Sequence, residues 1–384
     1  MIFLCHVATP AIREGFLPAA QSLGREVILL TDRPEDYQTY PQRVLACDVF
    51  NPMAVLDCIT QHNLPVEAVF SNSDHLQTQT AWIGQFFGVP HKSVRACYLA
   101  KNKSLMRQEL ARLGLESIWF RHFHSLEELK AAEQIPFPCV AKPIKGVASI
   151  DVKYLEDSRQ LLEFAGTFYS KQRQPLLLEE YLPGAIYSVE TLSGHLLGGF
   201  TCTLTELPYF IETGARWGVP AAGAAYVMRA LEAVGATFGA CHTELVMTTA
   251  GPRIIEINYR SIGDQSDFML DNLSGGSYFQ NVLRTALGET IQPPVIDAEL
   301  HSVAHYLFAE RAGQLSQAPD GFVTEREGCA VHYVPTKKAR DVVDLTHSNK
   351  DYLGMLHVTG PGRQRVEELL ERELQSLRAG FQWA

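Results

Sequence analysis

The chain reads as an α/β protein in which a parallel, helix-covered unit precedes a mixed, largely antiparallel one. Three observations predict this. Over about the first 90 residues apolar runs alternate with helical stretches, the pattern of a parallel sheet covered by helices. Between 185 and 290 the strands look antiparallel first, in "IYSVETLSGHLLGGFTCTLTEL", then mixed, ending in a hairpin. At 384 residues the chain is also too long for one ordinary core, so two or three domains are expected.

Composition narrows the function. A hydrophobic share of 46% with 20% charged residues describes a soluble globular chain. A formal net charge of -10 argues against nucleic acid or an anionic membrane as partner and leaves small molecules. Cys5, Cys47, Cys58, Cys97, Cys139, Cys202, Cys241 and Cys329 are scattered, without a C-x-x-C pair. That usage fits buried thiols in a reducing cytoplasm rather than zinc or disulfide frameworks. "MIFLCHVATPAIREGF" lacks a basic n-region and meets Pro10, Arg13 and Glu14 early, so it reads as a first strand, not a signal peptide. No apolar run approaches the ~20 residues needed to span a bilayer.

In order, "MIFLCHVA" is a buried strand, Ala11 to Leu23 a helix stopped by Gly24, "EVILLTD" a second strand, Ala54 to His62 a helix, and "VEAVFSNSD" a third strand. The loop "HVATPA" carries no G-x-G-x-x-G, which excludes a dinucleotide grip of that type. Lys101 to Gly114 is helical, with Gly114 at a helix stop. A smaller unit follows: "SIWFRHF", a helix opened by the capping box Ser125-x-x-Glu128, the strand "FPCVAKP", then "ASIDVKYL", a helix from about Ser158 to Tyr169, and "PLLLEEYL". Shorter strands and a charged helix near 364 to 378 finish the chain. His122-x-His124 and His301-x-x-x-His305 lack a partnered carboxylate motif and read as structural. "SNSD" at 71 to 74 ends a strand where open α/β sheets bind ligands.

The segment "RIIEINYRSIGD" raises the chemical question. Alternation puts Glu256, Asn258 and Arg260 on one strand face, with Ile255, Ile257 and Tyr259 on the other. A three-residue loop Thr249-Ala250-Gly251 would pair Thr248 with Pro252, Val246 with Ile254 and Glu244 with Glu256. Two opposed carboxylates cost stability unless a cation lies between them. Glu244, Glu256 and Asn258 are thus either a solvated face or three oxygen ligands for nucleotide-bound Mg²⁺. Arg260 adds a planar fork for phosphate or carboxylate. Lys142 ends an apolar strand before the small-residue loop "IKGVASI", a phosphate grip or a snorkelling edge lysine. The chain leaving its sheet at "LLLEEYLPG" exposes peptide groups from Glu180 to Leu182 that could read an adenine edge, with Tyr181 and Leu182 near the ring.

Together and in order, "LAKNKSLMRQEL", "CVAKPIKGVASIDV", "LLLEEYLPGAIYSVE" and "TELVMTTAGPRIIEINYRSIGD" resemble the ATP-grasp superfamily of carboxylate-amine ligases, a likeness covering residues 95 to 290. It implies an N-terminal α/β domain (1–95), a small A lid subdomain (96–185), a larger mixed-sheet B subdomain (186–300) and a C-terminal region (301–384). It implies that ATP lies between the subdomains, with a pair of Mg²⁺ ions for which Mn²⁺ can substitute. By this resemblance Lys101 and Lys142 grip phosphates, the loop Gly146 to Ser149 covers them, and Glu179, Glu180, Tyr181 and Leu182 surround adenine. Glu244, Glu256 and Asn258 hold the metal, and Arg260 faces the transferred phosphoryl group or substrate carboxylate. Ile186 stands where the family often has a ribose-binding acid, leaving ribose to Glu190 or to water.

"LTELPYFIETGARWGVPAA" is similar to a segment of amino-acid and dipeptide ligases, which points to Glu212 and Arg216 near the acceptor pocket, with Arg260 and Asp264 as further substrate contacts. "HVATPAIREGF" is similar to ligases of siderophore clusters. The implied activity is ligation of a small carboxylate and an amine through an acyl phosphate. Its rivals are a bicarbonate-phosphorylating carboxylase and a non-catalytic ATP-binding regulator. A homodimer is compatible with all three.

Overall fold

The computed structural model describes Met1 to Ala384. Strands β1 (Ile2–Cys5), β2 (Ile28–Thr31), β3 (Arg43–Ala46) and β4 (Val69–Phe70) form a parallel sheet in the order β3-β2-β1-β4. Every residue of β1 and β2 is buried because both faces are covered. Ile2, Leu4, Ile28 and Leu30 meet Val55 and Ile59 of helix Pro52–Gln61, while Phe3 and Leu29 meet Phe16 and Leu17. Continuous apolar strands are what a doubly covered parallel sheet demands. Strand β3 escapes a periodicity reading because its residues are exposed or half-buried, and helix Gln77–Phe87 because it opens on the polar run "QTQT".

The helix expected from Lys101 to Gly114 runs over Lys103–Arg112, and Lys101 instead ends a preceding helix, Val94–Lys101. Between them Asn102 is extended, and its side chain accepts the Leu105 N–H. An Asn that caps the second helix ends the first. This break sets Lys103 against Glu256, while Lys101 pairs with Asp74.

The small unit is an antiparallel sheet of β5 (Phe120–Phe123), β6 (Cys139–Pro143), β7 (Lys153–Leu155) and β8 (Leu176–Glu180), ordered β5-β8-β6-β7. Helix Ser158–Lys171 lays Leu161, Ala165 and Phe168 against Phe123, Cys139, Ala141 and Leu178. That uses one face; alternation leaves Lys142 and Glu179 on the other. The capping box forms, with Ser125 Oγ accepting the Glu128 N–H, but Glu128 reaches back to the N–H of His124.

A nine-stranded sheet dominates the rest. Its strands are β9 (Ala185–Leu192), β10 (His195–Leu204), β11 (Glu212–Trp217), β12 (Ala240–Thr248), β13 (Gly251–Asn258) and β14 (Leu300–Phe308). After β15 (Gly313–Gln317) come β16 (Phe322–Arg326), β17 (Cys329–Pro335), and, beyond β18 (Val342–Val343), β19 (Tyr352–Pro361). The order is β13-β12-β9-β10-β11-β14-β19-β17-β16. Strands β15, β18 and β20 (Gln382–Trp383) make a separate small sheet. Because β14 pairs with β11, the region after 300 continues the large sheet instead of standing apart from it. Helix Arg363–Gly380 covers its far end.

Near the hairpin, helix Ala221–Val234 and the two linker helices bury one face around Val227, Leu231, Leu245 and Ile257. On the opposite face, helices Ser266–Leu273 and Tyr278–Ala286 wedge between this sheet and the first unit, with Phe279 edge-on to Phe16 at 4.9 Å. The remainder of that face carries Glu244, Glu256 and Asn258, which Lys103 links to the loop after β6, and this junction is the candidate cleft. No helix is long and apolar enough to cross a membrane.

Candidate active site

The hairpin β12–β13 does oppose Glu244 and Glu256, but by a different register from the expected one. Thr248 pairs with Gly251 (φ 102°), so the loop is only Thr249-Ala250, and Val246 pairs with Arg253. A bulge then inserts Ile255, restoring the Glu244–Glu256 pair and placing Asn258 opposite His242. The extra residue also explains why Ile254, not Ile255, joins the core with Ile257 and Tyr259. Bulges re-aim side chains beside functional sites.

His242 shares this face, a position signalled in the sequence by its two-residue spacing from Glu244. Its Nδ1 lies 2.8 Å from Glu190 Oε1 and its Nε2 3.5 Å from Glu244 Oε1. Burial favours the neutral ring, but the two carboxylates outweigh it and hold the imidazole up to about 10. Glu190 is therefore committed to His242. Ile186, in the position where an acid was expected, is half-buried on the same strand.

Lys103 Nζ donates to Glu256 Oε1 at 2.8 Å and to the Gly146 carbonyl at 3.0 Å, linking hairpin and small-residue loop. Its ammonium is raised because Glu256 outweighs the burial that opposes it. Lys101 instead pairs with Asp74. In the loop, Ala148 and Ser149 hold left-handed φ of 55° and 54°, an arrangement stored at ligand clamps.

On the small sheet, Lys142 Nζ is 2.6 Å from Glu179 Oε2. Burial pulls this lysine below its ordinary range. Glu179 is held down to about 2: burial opposes this, and Arg107 and Lys142 overcome it. Arg107, absent from the expected set, organises the junction. Its Nε donates to Glu179 at 2.7 Å, and its Nη1 to Glu116 at 2.8 Å and to the Ile254 carbonyl at 2.5 Å. Its Nη2 reaches the Ile255 carbonyl at 3.2 Å. Arg107 thus grips the bulge itself. Its sequence signal is a charge three residues from both Ser104 and Leu110, on the buried helix face.

The hinge differs from the expected one in its donors. The Glu180 N–H goes to the Trp119 carbonyl and the Tyr181 N–H to the Pro138 carbonyl, while the Leu182 N–H has no backbone acceptor. The Glu180 carboxylate accepts the Trp119 N–H at 2.7 Å and turns away from the cleft. Tyr181 stands edge-on to Tyr154 at 4.8 Å.

At the far end, Glu212 is pushed up to about 8 by burial and by the charges of Glu244 and Asp264. Arg260 Nη1 donates to the Ser261 carbonyl, and its Nε lies 3.9 Å from Asp74. Asp264 (φ 51°) and Gln265 (φ 65°) are consecutive left-handed residues. Asp267, 1% exposed, has no partner for either carboxylate oxygen. Arg216 does not join this group. It pairs with Val303, which packs under the terminal helix, and lies 3.6 Å from Glu367 on that helix, across the sheet from the cleft.

No three His, Cys, Asp or Glu side chains converge at metal-binding spacing. Two carboxylates and the Asn258 amide are an all-oxygen donor set that suits a hard cation completing its shell with phosphate and water. These residues fit Mg²⁺ by donor type, with Lys103 and His242 as the cations that stand beside Glu256 and Glu244 here.

No family model matches the chain. Carnosine synthase 1 of Gallus gallus is 28% identical over 309 residues, 70% of this chain but 32% of that protein's length. Dapdiamide A synthase of Enterobacter agglomerans is 25% identical over 279 residues, 65% of each chain. Among solved structures, an L-amino acid ligase from Bacillus licheniformis superposes with TM-score 0.79 at 19% identity, covering 98% of this chain and 97% of that one. The biotin carboxylase domain dimer of Hydrogenobacter thermophilus 2-oxoglutarate carboxylase, solved with MgADP, superposes with TM-score 0.71 at 15% identity, covering 100% and 90%. The chain therefore has the ATP-grasp fold of these structures, and its sequence is similar to those of carnosine synthase and dapdiamide A synthase. It spans about a third of the length of the carnosine synthases it matches.

Proposed function

We propose that this chain uses MgATP to join a small carboxylic acid, an amino acid being the favoured class, to an amine through an acyl phosphate, releasing ADP and phosphate. The observation that carries the reading is the Glu244–Glu256 pair with Asn258, bridged by Lys103 to the loop at Gly146 and flanked by Lys142 on the facing sheet. Glu244, Glu256 and Asn258 would hold the metal, one ion or two, which when bound offsets charge on the phosphate oxygens.

Lys103 and Lys142 place two ammonium groups where the triphosphate tail would lie, and a loose phosphoryl-transfer transition state needs that fixed positive charge. Lys142 must exchange part of its contact with Glu179 for a phosphate oxygen. Arg260, at the inner end, orients the carboxylate that attacks the γ-phosphorus and then faces the oxyanion formed when the amine attacks the acyl carbon. Loop 146–149 and the small sheet keep water from the acyl phosphate. Adenine lies at the hinge near Tyr181 and Leu182.

The test is incubation with ATP, Mg²⁺ and paired amino acids, with ADP, phosphate and amide measured together. Release of AMP and pyrophosphate would remove the mechanism. Bicarbonate-dependent ADP release without an amine would select the carboxylase, and ATP binding without turnover the regulator.

A further inference from the structure

Residues 346–351, "THSNKD", lie between β18 and β19 and are built more tightly than a connecting loop requires. The Asp351 carboxylate accepts the Thr346 N–H at 2.9 Å, the Thr346 hydroxyl at 2.5 Å and the His347 N–H at 2.7 Å. Ser348 caps the turn through the Lys350 N–H at 3.2 Å. Ser348, Asn349 and Asp351 are all buried. Carboxylates that accept several bonds within one turn hold it in a single shape.

Two parts of the cleft meet this loop. The Asn349 N–H donates at 3.1 Å to the carbonyl of Ala148, within the loop assigned to covering phosphate. The Asn349 side-chain oxygen accepts the Glu212 N–H at 3.2 Å, at the start of the acceptor strand. Beside it His347 stacks on Tyr209, centroids 4.1 Å apart and planes 5° from parallel. Tyr209 belongs to the connection leading into β11, and its neighbour Pro208 accepts the Tyr154 N–H of the small sheet at 2.9 Å. Small sheet, acceptor strand and C-terminal loop therefore close on one point. Asn349 touches both loop 146–149 and the acceptor strand.

We propose that Asn349 is a positioning residue that couples closure of loop 146–149 to the placement of Glu212, so that the cleft is sealed only when the acceptor strand is set. This rests on the ligase reading above. Without the coupling, a water oxygen bonds to the acyl carbon and the carbon–oxygen bond to phosphate breaks. The products are then the free acid, phosphate and a proton, and ATP is consumed without amide.

The experiment uses the full chain, ATP, Mg²⁺ and the acid and amine that give most amide, with ADP and amide quantified in the same reaction. Asn349→Ala should still release ADP while amide formed per ADP falls roughly tenfold, the weight of one hydrogen bond. Asn349→Asp, which keeps the accepting oxygen, should restore most of the ratio. Should Asn349→Ala fail to fold by circular dichroism, Tyr209→Ala, which removes the stack, carries the test and should leak likewise. An unchanged ratio, or ADP and amide falling in step, overturns the inference and leaves the ligase reading standing. A wild-type chain that releases no ADP with any pair overturns both.

Discussion

Replacing Arg107 with methionine should destabilise the chain by about 3–5 kcal/mol, the range for removing one partner from a buried ion pair. The side chains of Arg107, Glu116 and Glu179 are only 5%, 2% and 6% exposed, so water cannot replace the guanidinium. An independent measure comes from Glu179. A carboxyl held at about 2 in place of 4.5 corresponds to about 3 kcal/mol, shared between Arg107 and Lys142. Because this group is depressed in the folded chain, its contribution is complete above 4.5 and is lost as pH falls toward 2. Urea unfolding of wild type and Arg107→Met at neutral pH, repeated toward acid, measures both the size and its pH dependence. A difference below about 1 kcal/mol at neutral pH would refute the reasoning, because buried charges left unpaired cannot be that cheap. So would a difference that widens as acid is added.

Other expectations follow from the same geometry. Glu256→Gln should lower magnesium-dependent ATP consumption by about a hundredfold or more, and unchanged turnover would place the metal elsewhere. Lys103→Ala should raise the KM for ATP more than Lys101→Ala, since only Lys103 reaches the hairpin; equal effects in steady-state kinetics would contradict that assignment. Glu212, ordinarily at 4.5, keeps its proton to about 8 when folded. Its stabilising share is full below 4.5 and is lost as pH rises through 8, so thermal stability should decline across that window and Glu212→Gln should flatten the decline. A parallel decline in the variant would exclude Glu212 as its source. Arg216→Ala should leave every KM within about twofold, as expected for an exposed pair, and a large rise in acceptor KM would return Arg216 to the cleft.

Much of the fold was readable because burial imposes simple periodicities. The continuous apolar runs of β1 and β2, and the alternation around Lys142 and Glu179, each have one sensible partner surface. The nine-stranded sheet was harder, since β14 joins β11 across more than eighty residues of sequence, and pairing at that separation leaves no local trace. The opposed glutamates were anticipated through the wrong loop: a two-residue turn plus a bulge gives the same pair as a three-residue turn without one. Missed residues share a cause. Arg107, Glu116 and His242 are charged or titratable groups inside the protein, legible only when their partners, remote in sequence, are known. The resemblance points to Lys101, whereas the extended Asn102 between two helices sets Lys103 against Glu256, a contact with no local sequence trace. Arg216 was misplaced because the irregular pairing at Leu204 and Glu212 changes which face the following residues take.

The central claim is that a substrate carboxylate, activated as an acyl phosphate, passes one of its oxygens to phosphate. Oxygen-18 labelling of the acid, with mass analysis of the phosphate released during amide formation, tests it directly. The account predicts one labelled oxygen in inorganic phosphate for each amide formed. Label appearing in AMP, or remaining wholly outside the phosphate, would contradict it.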